Sequence, residues 1–216
     1  MSFVMSQVSL HRVLIEGVQI VKEHINVLDD IFKYYKTPAM NIDYGQKYID
    51  QIKTWFLSTK IPVVQAWNLN IALVPQISVQ LAQENEDEGK AALGDYWGPG
   101  DDASVGVAVF NVTLDIMLFG SKNTDEVLWM YYIVSYILFK RKRHAEALGL
   151  QQATFSASDY GRDNPKLPEN IWVRTIKYRA TVENFFDQQC YIDIDSLDVC
   201  IVAESTNDCE VKVAIP

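Results

Sequence analysis

Several motifs that define common enzyme classes are missing from this sequence. It has no Gly-x-Ser-x-Gly elbow, no phosphate-binding P-loop and no dinucleotide fingerprint. Its three histidines stand alone, without the adjacent glutamate and second histidine of a metalloprotease. The one Gly-Pro-Gly, at Gly98 to Gly100, is typical of a turn. We therefore predict that the protein is not an enzyme, with no catalytic residues and no cofactor.

The sequence also lacks cysteine, histidine and acidic residues at the spacings typical of metal-binding sites. The three cysteines, Cys190, Cys200 and Cys209, are far apart and have no histidine near them, so the short paired spacing of a structural zinc site is missing. Their odd number predicts reduced thiols rather than a disulfide framework. The acidic group near Asp195 lacks the glycine and the final glutamate of a calcium loop. We predict that the protein binds no metal.

The sequence has no apolar run of about 18 residues, which a membrane-spanning helix would need. Residues Met1 to Leu10 lack the basic and apolar regions of a signal peptide, so we expect a soluble protein made in the cytoplasm. The 216 residues suffice for one sizeable core. The net charge of −9 argues against a protein that binds nucleic acid through a basic face.

The clearest pattern is a strand followed by a helix. From Val107 to Phe119 every second residue is apolar, whereas Asn111, Thr113 and Asp115 lie between them, which predicts a strand with one buried and one polar face. Asn123 and Glu126 then have the spacing of a capping box, and a helix is predicted from Thr124 to about Leu148.

Other segments complete an α+β fold. Three-and-four spacing predicts a helix from Ser9 to Tyr35 and another from Tyr44 to Leu57. Alternation predicts further strands at Ile61 to Trp67, Val74 to Gln83, Gln152 to Ala157 and Trp172 to Phe186. In the second of these, Gln76, Ser78 and Gln80 should form a solvent-exposed side. We predict a mostly antiparallel sheet packed on one face by helices, because mixed-charge strand faces do not suit an all-buried parallel sheet.

Two charged segments stand out from the rest of the chain. Residues Glu84 to Asp102 are acidic and glycine-rich, which predicts an extended acidic loop. The basic run Lys140 to His144 complements the dipole at a helix C-terminus, or forms a docking patch for an acidic surface. Opposite charges on separate surfaces suit a head-to-tail contact between copies, and such contacts close into a ring when the rotation permits. The candidate contact residues are Glu84, Glu86, Asp87, Glu88, Asp101, Asp102, Lys140, Arg141, Lys142 and Arg143.

The order of elements resembles the tail-terminator proteins of long-tailed bacteriophages, members of the head-to-tail joining (neck) proteins. The resemblance rests on the alternating stretch Val109 to Gly120, the tyrosine-rich helix that ends at Leu148 to Leu150, and the strand Ile171 to Val182. It covers roughly Val8 to Phe186. We therefore divide the chain into a single ring-forming α+β domain, residues 1–190, and a β-rich C-terminal extension, residues 191–216.

This resemblance implies a homo-hexameric ring in the neck of the virion. Such a ring caps the tail tube, contacts the tail-tube protein and the head-side connector, and lets genomic DNA pass through its lumen. Mixed charge on a lumen would let DNA slide, because few phosphates are neutralised. The candidate lumen-facing residues are Asn111, Thr113, Asp115, Lys177, Arg179 and Glu183. Alternatives are another neck component, such as a head-completion or connector-docking ring, a tail-tube protein, and, more remotely, a small intracellular enzyme.

Overall fold

A computed structural model describes residues 4–36, 42–65, 74–87, 96–97, 105–121, 124–159 and 171–187. The three cysteines lie outside these residues, as do Glu88, Asp101, Asp102, Asn123 and the predicted C-terminal extension. In the described part of the chain, no helix combines the length and hydropathy needed to cross a bilayer.

The described chain contains five α-helices and a short 3-10 helix. The α-helices are α1 (Ser6–Glu23), α2 (Val27–Ile31), α3 (Ile42–Ser58), α4 (Thr124–Lys140) and α5 (Lys142–Ala147), and the 3-10 helix is Lys33–Lys36. The single helix predicted from Ser9 to Tyr35 is therefore wrong, because the chain turns after Glu23. The turn leaves Leu28 and Phe32 buried in the core, so apolar spacing alone did not reveal the break. The helix predicted from Thr124 is likewise interrupted, at Arg141.

Within the described residues, six strands form one sheet. They are β1 (Val63–Val64), β2 (Gln76–Glu86), β3 (Tyr96–Trp97), β4 (Val105–Gly120), β5 (Gln151–Asp159) and β6 (Trp172–Asp187). Their order is β1-β2-β4-β6-β5, and β3 pairs with β4 beyond the end of β2. Only the short β1–β2 pair is parallel. The predicted α+β class, with a mostly antiparallel sheet, is confirmed.

One expectation about the acidic segment needs correction. Glu84 and Glu86 belong to β2 rather than to a loop, and Tyr96–Trp97 forms β3 within the same segment. The cause is the partner strand: β4 is 16 residues long and continues past the alternating part of β2. Its backbone pairs with β2 as far as Glu86 regardless of the charges there.

The hydrophobic core lies on one face of the sheet, which we call the helix face. It is formed by Leu114, Ile116 and Ile176 from the strands, together with buried residues of α1, α3 and α4. Helices α1 and α4 approach each other closely at Gly17, because a Cβ atom there would overlap the side chain of Ile137. Glycine at this position allows the two helices to cover the sheet side by side.

Helix α3 is attached to α4 by aromatic side chains. The indole of Trp129 donates a 2.8 Å hydrogen bond to the Tyr48 hydroxyl, and the rings of Trp55 and Trp129 are 5.1 Å apart. Below them, Glu126 is 1% exposed and accepts hydrogen bonds from Trp55 Nε1 (3.1 Å) and the Ser121 backbone N–H (3.2 Å). Glu126 therefore stabilises the start of α4 from inside the core.

Candidate functional site

The six predicted lumen residues lie together on the sheet face opposite the helices, which we call the polar face. Asp115 pairs with Lys177, Thr113 with Arg179, and Glu183 with Val109 of the neighbouring strand. Residues directly opposite on paired strands project to the same side, so this register brings the six side chains to one surface. Asn111, Lys177 and Arg179 are exposed, and the other three are half-buried. The surface is therefore accessible on the isolated chain.

Charges on this surface are balanced. Lys177 and Arg179 are positive, and Asp115 and Glu183 are negative. Burial raises the pKa of the Asp115 carboxyl, and the positive charge of Lys177 partly offsets that rise. One oxygen of Asp115, Oδ1, is buried and has no hydrogen-bond partner in the described structure. The centre of the polar face thus holds a carboxylate that is poorly solvated.

The prediction that Gln76, Ser78 and Gln80 are solvent-exposed is wrong. They lie on the polar face as expected, but all three are buried. Gln76 and Ser78 pair with Phe119 and Met117, whose large side chains crowd the same surface. The polar face is therefore exposed to solvent around Asn111, Lys177 and Arg179 but closed at the end near Gly120.

The acidic contact candidates that the structure describes lie at the far end of β2. Glu84 and Glu86 are exposed, and Asp87 accepts a 3.0 Å hydrogen bond from Asn111 Nδ2. Glu84 pairs with Val112, a core residue, so its side chain is on the helix face. Glu88, Asp101 and Asp102 lie outside the described residues.

The predicted basic patch is smaller than the sequence indicates. Arg141 is turned inward and makes a hydrogen-bonded ion pair with Glu16 of α1, which His144 Nε2 also approaches to 3.1 Å. Hydrogen bonding from Arg12, with smaller contributions from the charges of Arg141 and His144, lowers the pKa of Glu16. Lys140, Lys142 and Arg143 remain exposed. Arg141 is therefore engaged in an ion pair within its own chain, which leaves Lys140, Lys142 and Arg143 as the exposed part of the predicted patch.

Sequence reasoning missed an exposed aromatic contact beside this patch. Phe139, at the end of α4, is 72% exposed and packs edge-on against Phe155 of β5, with ring centres 5.1 Å apart. Strand β5 is the edge of the sheet that the described residues form, and from Gln151 to Ser158 it contains neither a charge nor a proline. That composition was the one available signal, because natural edge strands usually carry charge or proline.

A small cavity of about 280 Å³ lies where α4 begins, between Thr124, Val127 and Trp172. Its polar wall is the Arg174 guanidinium, which donates two hydrogen bonds (2.6 and 2.9 Å) to Asp159 and lies over the Tyr131 ring. Hydrogen bonding from Arg174 lowers the pKa of Asp159. Because Arg174 is already paired with an acid of its own chain, the arrangement is that of a structural ion pair.

Among the described residues, no group of histidine, cysteine, aspartate and glutamate side chains is arranged to hold a metal ion. No protein-family model matches the chain, and no curated protein is detectably similar to it.

Proposed function

We propose that the protein is a structural component of a tailed bacteriophage virion. In this proposal it forms a homo-hexameric ring in the neck, a tail terminator that caps the tail tube and joins it to the head-side connector. Genomic DNA passes through the lumen of the ring. The proposal combines the family resemblance of the strand and helix order with the surfaces of the fold.

The observation that carries the proposal is the division of the sheet into two unlike faces. All the core-forming helices cover one face, and the other presents Asn111, Lys177 and Arg179 to solvent. An antiparallel sheet can leave one face to solvent, and a long polar face of this kind is suited to lining a channel. Strands β4 and β6 each have 16 residues, so at about 3.3 Å per residue they are long enough to line a deep lumen.

The charges of the polar face suit the passage of DNA. Attraction between a protein and DNA grows with the number of phosphates neutralised by lysine and arginine. Here Lys177 is directly opposite Asp115, and Glu183 lies further along the same strand as Arg179. The near balance of charge would leave little net attraction, so DNA could slide without being held.

The mass of the purified protein in solution tests the proposal most directly. Light scattering and native mass spectrometry should give about six copies, and negative-stain images should show a ring with a central hole. A stable monomer at high concentration and low salt would overturn it. Long tubes formed by the protein alone would instead identify a tail-tube protein.

Binding to neighbours separates the tail terminator from other neck rings. The ring should bind the end of purified tail tubes and stop their further growth. A ring that binds the head-side connector but leaves tail tubes unchanged would be a head-completion or docking component. Hydrolytic or transfer activity in a substrate screen would favour the enzyme alternative.

A further inference from the structure

A stripe of aromatic and basic side chains runs along the end of α4 and into α5. We call it the aromatic–basic stripe, and its residues are Tyr136, Phe139, Lys140 and Arg143. Their spacing of i, i+3, i+4 and i+7 places them along one side of a helix. The turn at Arg141 keeps the helical phase, because the Arg141 N–H donates to the Ile137 carbonyl and the Ala145 N–H donates to the Arg141 carbonyl. The four side chains therefore form one continuous surface.

The stripe is exposed and held in a fixed arrangement. Phe139 is 72% exposed, yet its ring packs edge-on against Phe155 with 5.1 Å between the ring centres. The Lys140 ammonium lies 5.7 Å from the centre of the Tyr136 ring. Lys140 and Arg143 are exposed, and neither is paired with an acid among the described residues. A fixed aromatic ring beside unpaired cations suits a segment that combines apolar and acidic side chains.

The C-terminal extension, residues 191–216, has this chemistry in its sequence, although it lies outside the described residues. It contains six acidic residues and a single basic one, Lys212. In its first nine residues the acids alternate with apolar side chains, as in Ile192, Asp193, Ile194 and Asp195. We propose that the C-terminal extension binds to the aromatic–basic stripe of its own chain. Its apolar side chains would cover the Phe139 ring, and its carboxylates would pair with the two cations.

The chain is long enough for this contact. Strand β6 ends at Asp187, and Phe155, which packs on Phe139, pairs with Tyr178 in the same strand. At about 3.3 Å per residue, Tyr178 is about 30 Å from the end of β6. The residues after Asp187 can span up to about 95 Å when fully extended. The extension therefore reaches the stripe of its own chain, and the inference does not depend on the ring of the proposed function.

Covalent attachment favours the extension over a separate acidic partner. A segment tethered to the same chain has a high effective concentration at any surface that its linker can reach. A separate partner with the same acidic and apolar groups would have to displace it. The stripe and the extension also have opposite charges, so their encounter is electrostatically favourable.

The cysteines provide a test on the full-length chain. All three follow β6, at Cys190, Cys200 and Cys209, so thiol alkylation reports on this part of the chain alone. The reduced protein is treated with iodoacetamide, an uncharged reagent, and the labelling rate of each cysteine is measured by mass spectrometry. The double variant Phe139→Ala/Arg143→Glu should label about tenfold faster at Cys200 or Cys209, because loss of the covered ring weakens docking by at least that factor.

A matched control makes the same kinds of change at another exposed site. Tyr34 is 73% exposed and follows the exposed Lys33 in the 3-10 helix. The double variant Tyr34→Ala/Lys33→Glu should label like the wild type. Circular dichroism and urea unfolding must show that both double variants are folded.

A charge-reversal cycle tests the pairing without removing an aromatic ring. Lys140→Glu/Arg143→Glu and Asp193→Lys/Asp195→Lys should each increase the labelling rate. The chain with all four substitutions should recover most of the protection, because opposite charges again face each other. A general loosening of the fold would make the combined variant label faster than either parent, which would contradict the proposed contact.

The results separate this inference from the proposed function. If the folded stripe variants label at the wild-type rate, the extension does not bind the stripe, whatever the mass of the assembly. Protection that falls when the protein is diluted would mean that the extension binds another copy, which also overturns the inference. A wild-type monomer with protected cysteines would refute the ring and leave this contact in place.

Discussion

Replacing Glu126 by alanine should destabilise the fold far more than removing its neighbour Asp125. Both acids lie in the first turn of α4, where a negative charge is stabilised by the helix dipole. Only Glu126 is buried, and only its loss would leave the Trp55 indole N–H and the Ser121 backbone N–H without their acceptor. The pair of variants therefore separates a buried hydrogen-bond role from a helix-dipole effect.

The size of the effect follows from the contacts. An unpaired buried donor costs about 1–3 kcal/mol, and both donors here are half-buried, so the lower end applies to each. Removal of the one buried Cγ methylene group adds about 0.8 kcal/mol. Glu126→Ala should thus lower the free energy of unfolding by about 2–4 kcal/mol, whereas Asp125→Ala should cost less than about 1 kcal/mol.

Urea unfolding followed by tryptophan fluorescence and circular dichroism measures these values. A double-mutant cycle with Trp55→Phe isolates the indole–carboxylate bond, and the two substitutions should be less than additive by about 1 kcal/mol or more. Equal losses for Glu126→Ala and Asp125→Ala would refute the role assigned to Glu126, as would full additivity with Trp55→Phe.

Two further predictions concern the helix pair and the polar face. Gly17→Ala should destabilise the protein by about 1–2 kcal/mol in spite of the better helix propensity of alanine, because the added methyl group would overlap the Ile137 side chain. Adding Ile137→Ala to the same chain should remove that cost. Chemical denaturation of the single and double variants measures both effects. Because the pKa of Asp115 is raised in the folded state, its ionisation destabilises the fold as pH rises through the carboxyl range. At pH 7, Asp115→Asn should therefore raise the free energy of unfolding above that of the wild type, by less than about 1 kcal/mol since the residue is half-exposed near Lys177. The difference should disappear in acid, and an equal difference at every pH would contradict this prediction.

The sequence was most informative where a strand kept strict alternation. Between Val107 and Phe119 the period of two shows which residues share a face, and Asp115 and Lys177 fall on the same face once β4 and β6 lie side by side. The six candidate lumen residues were therefore placed on one surface correctly. Their role in a lumen stays a prediction, because it depends on other copies of the chain.

The burial and the pairing of polar side chains could not be predicted from the sequence in the same way. Alternation tells which side of the strand Gln76 faces, but not whether large neighbours such as Phe119 close that side. The basic run similarly gives the sign of the charge at Arg141, but not the presence of Glu16 on a helix more than a hundred residues earlier in the chain. Both errors come from tertiary contacts that local sequence does not encode.

The sequence also does not predict that β5 lies at the sheet edge, because this position depends on the order in which the strands pair. β5 precedes β6 in the chain, yet β6 inserts beside β4 and leaves β5 outside. An edge that must stay unpaired usually contains lysine, proline or a bulge. β5 does have a register irregularity near Gln152, but its neutral stretch from Thr154 to Ser158 runs regularly along β6 with nothing to repel another strand. In the described part of the chain, the composition of β5 therefore sets no barrier to a further strand at this edge.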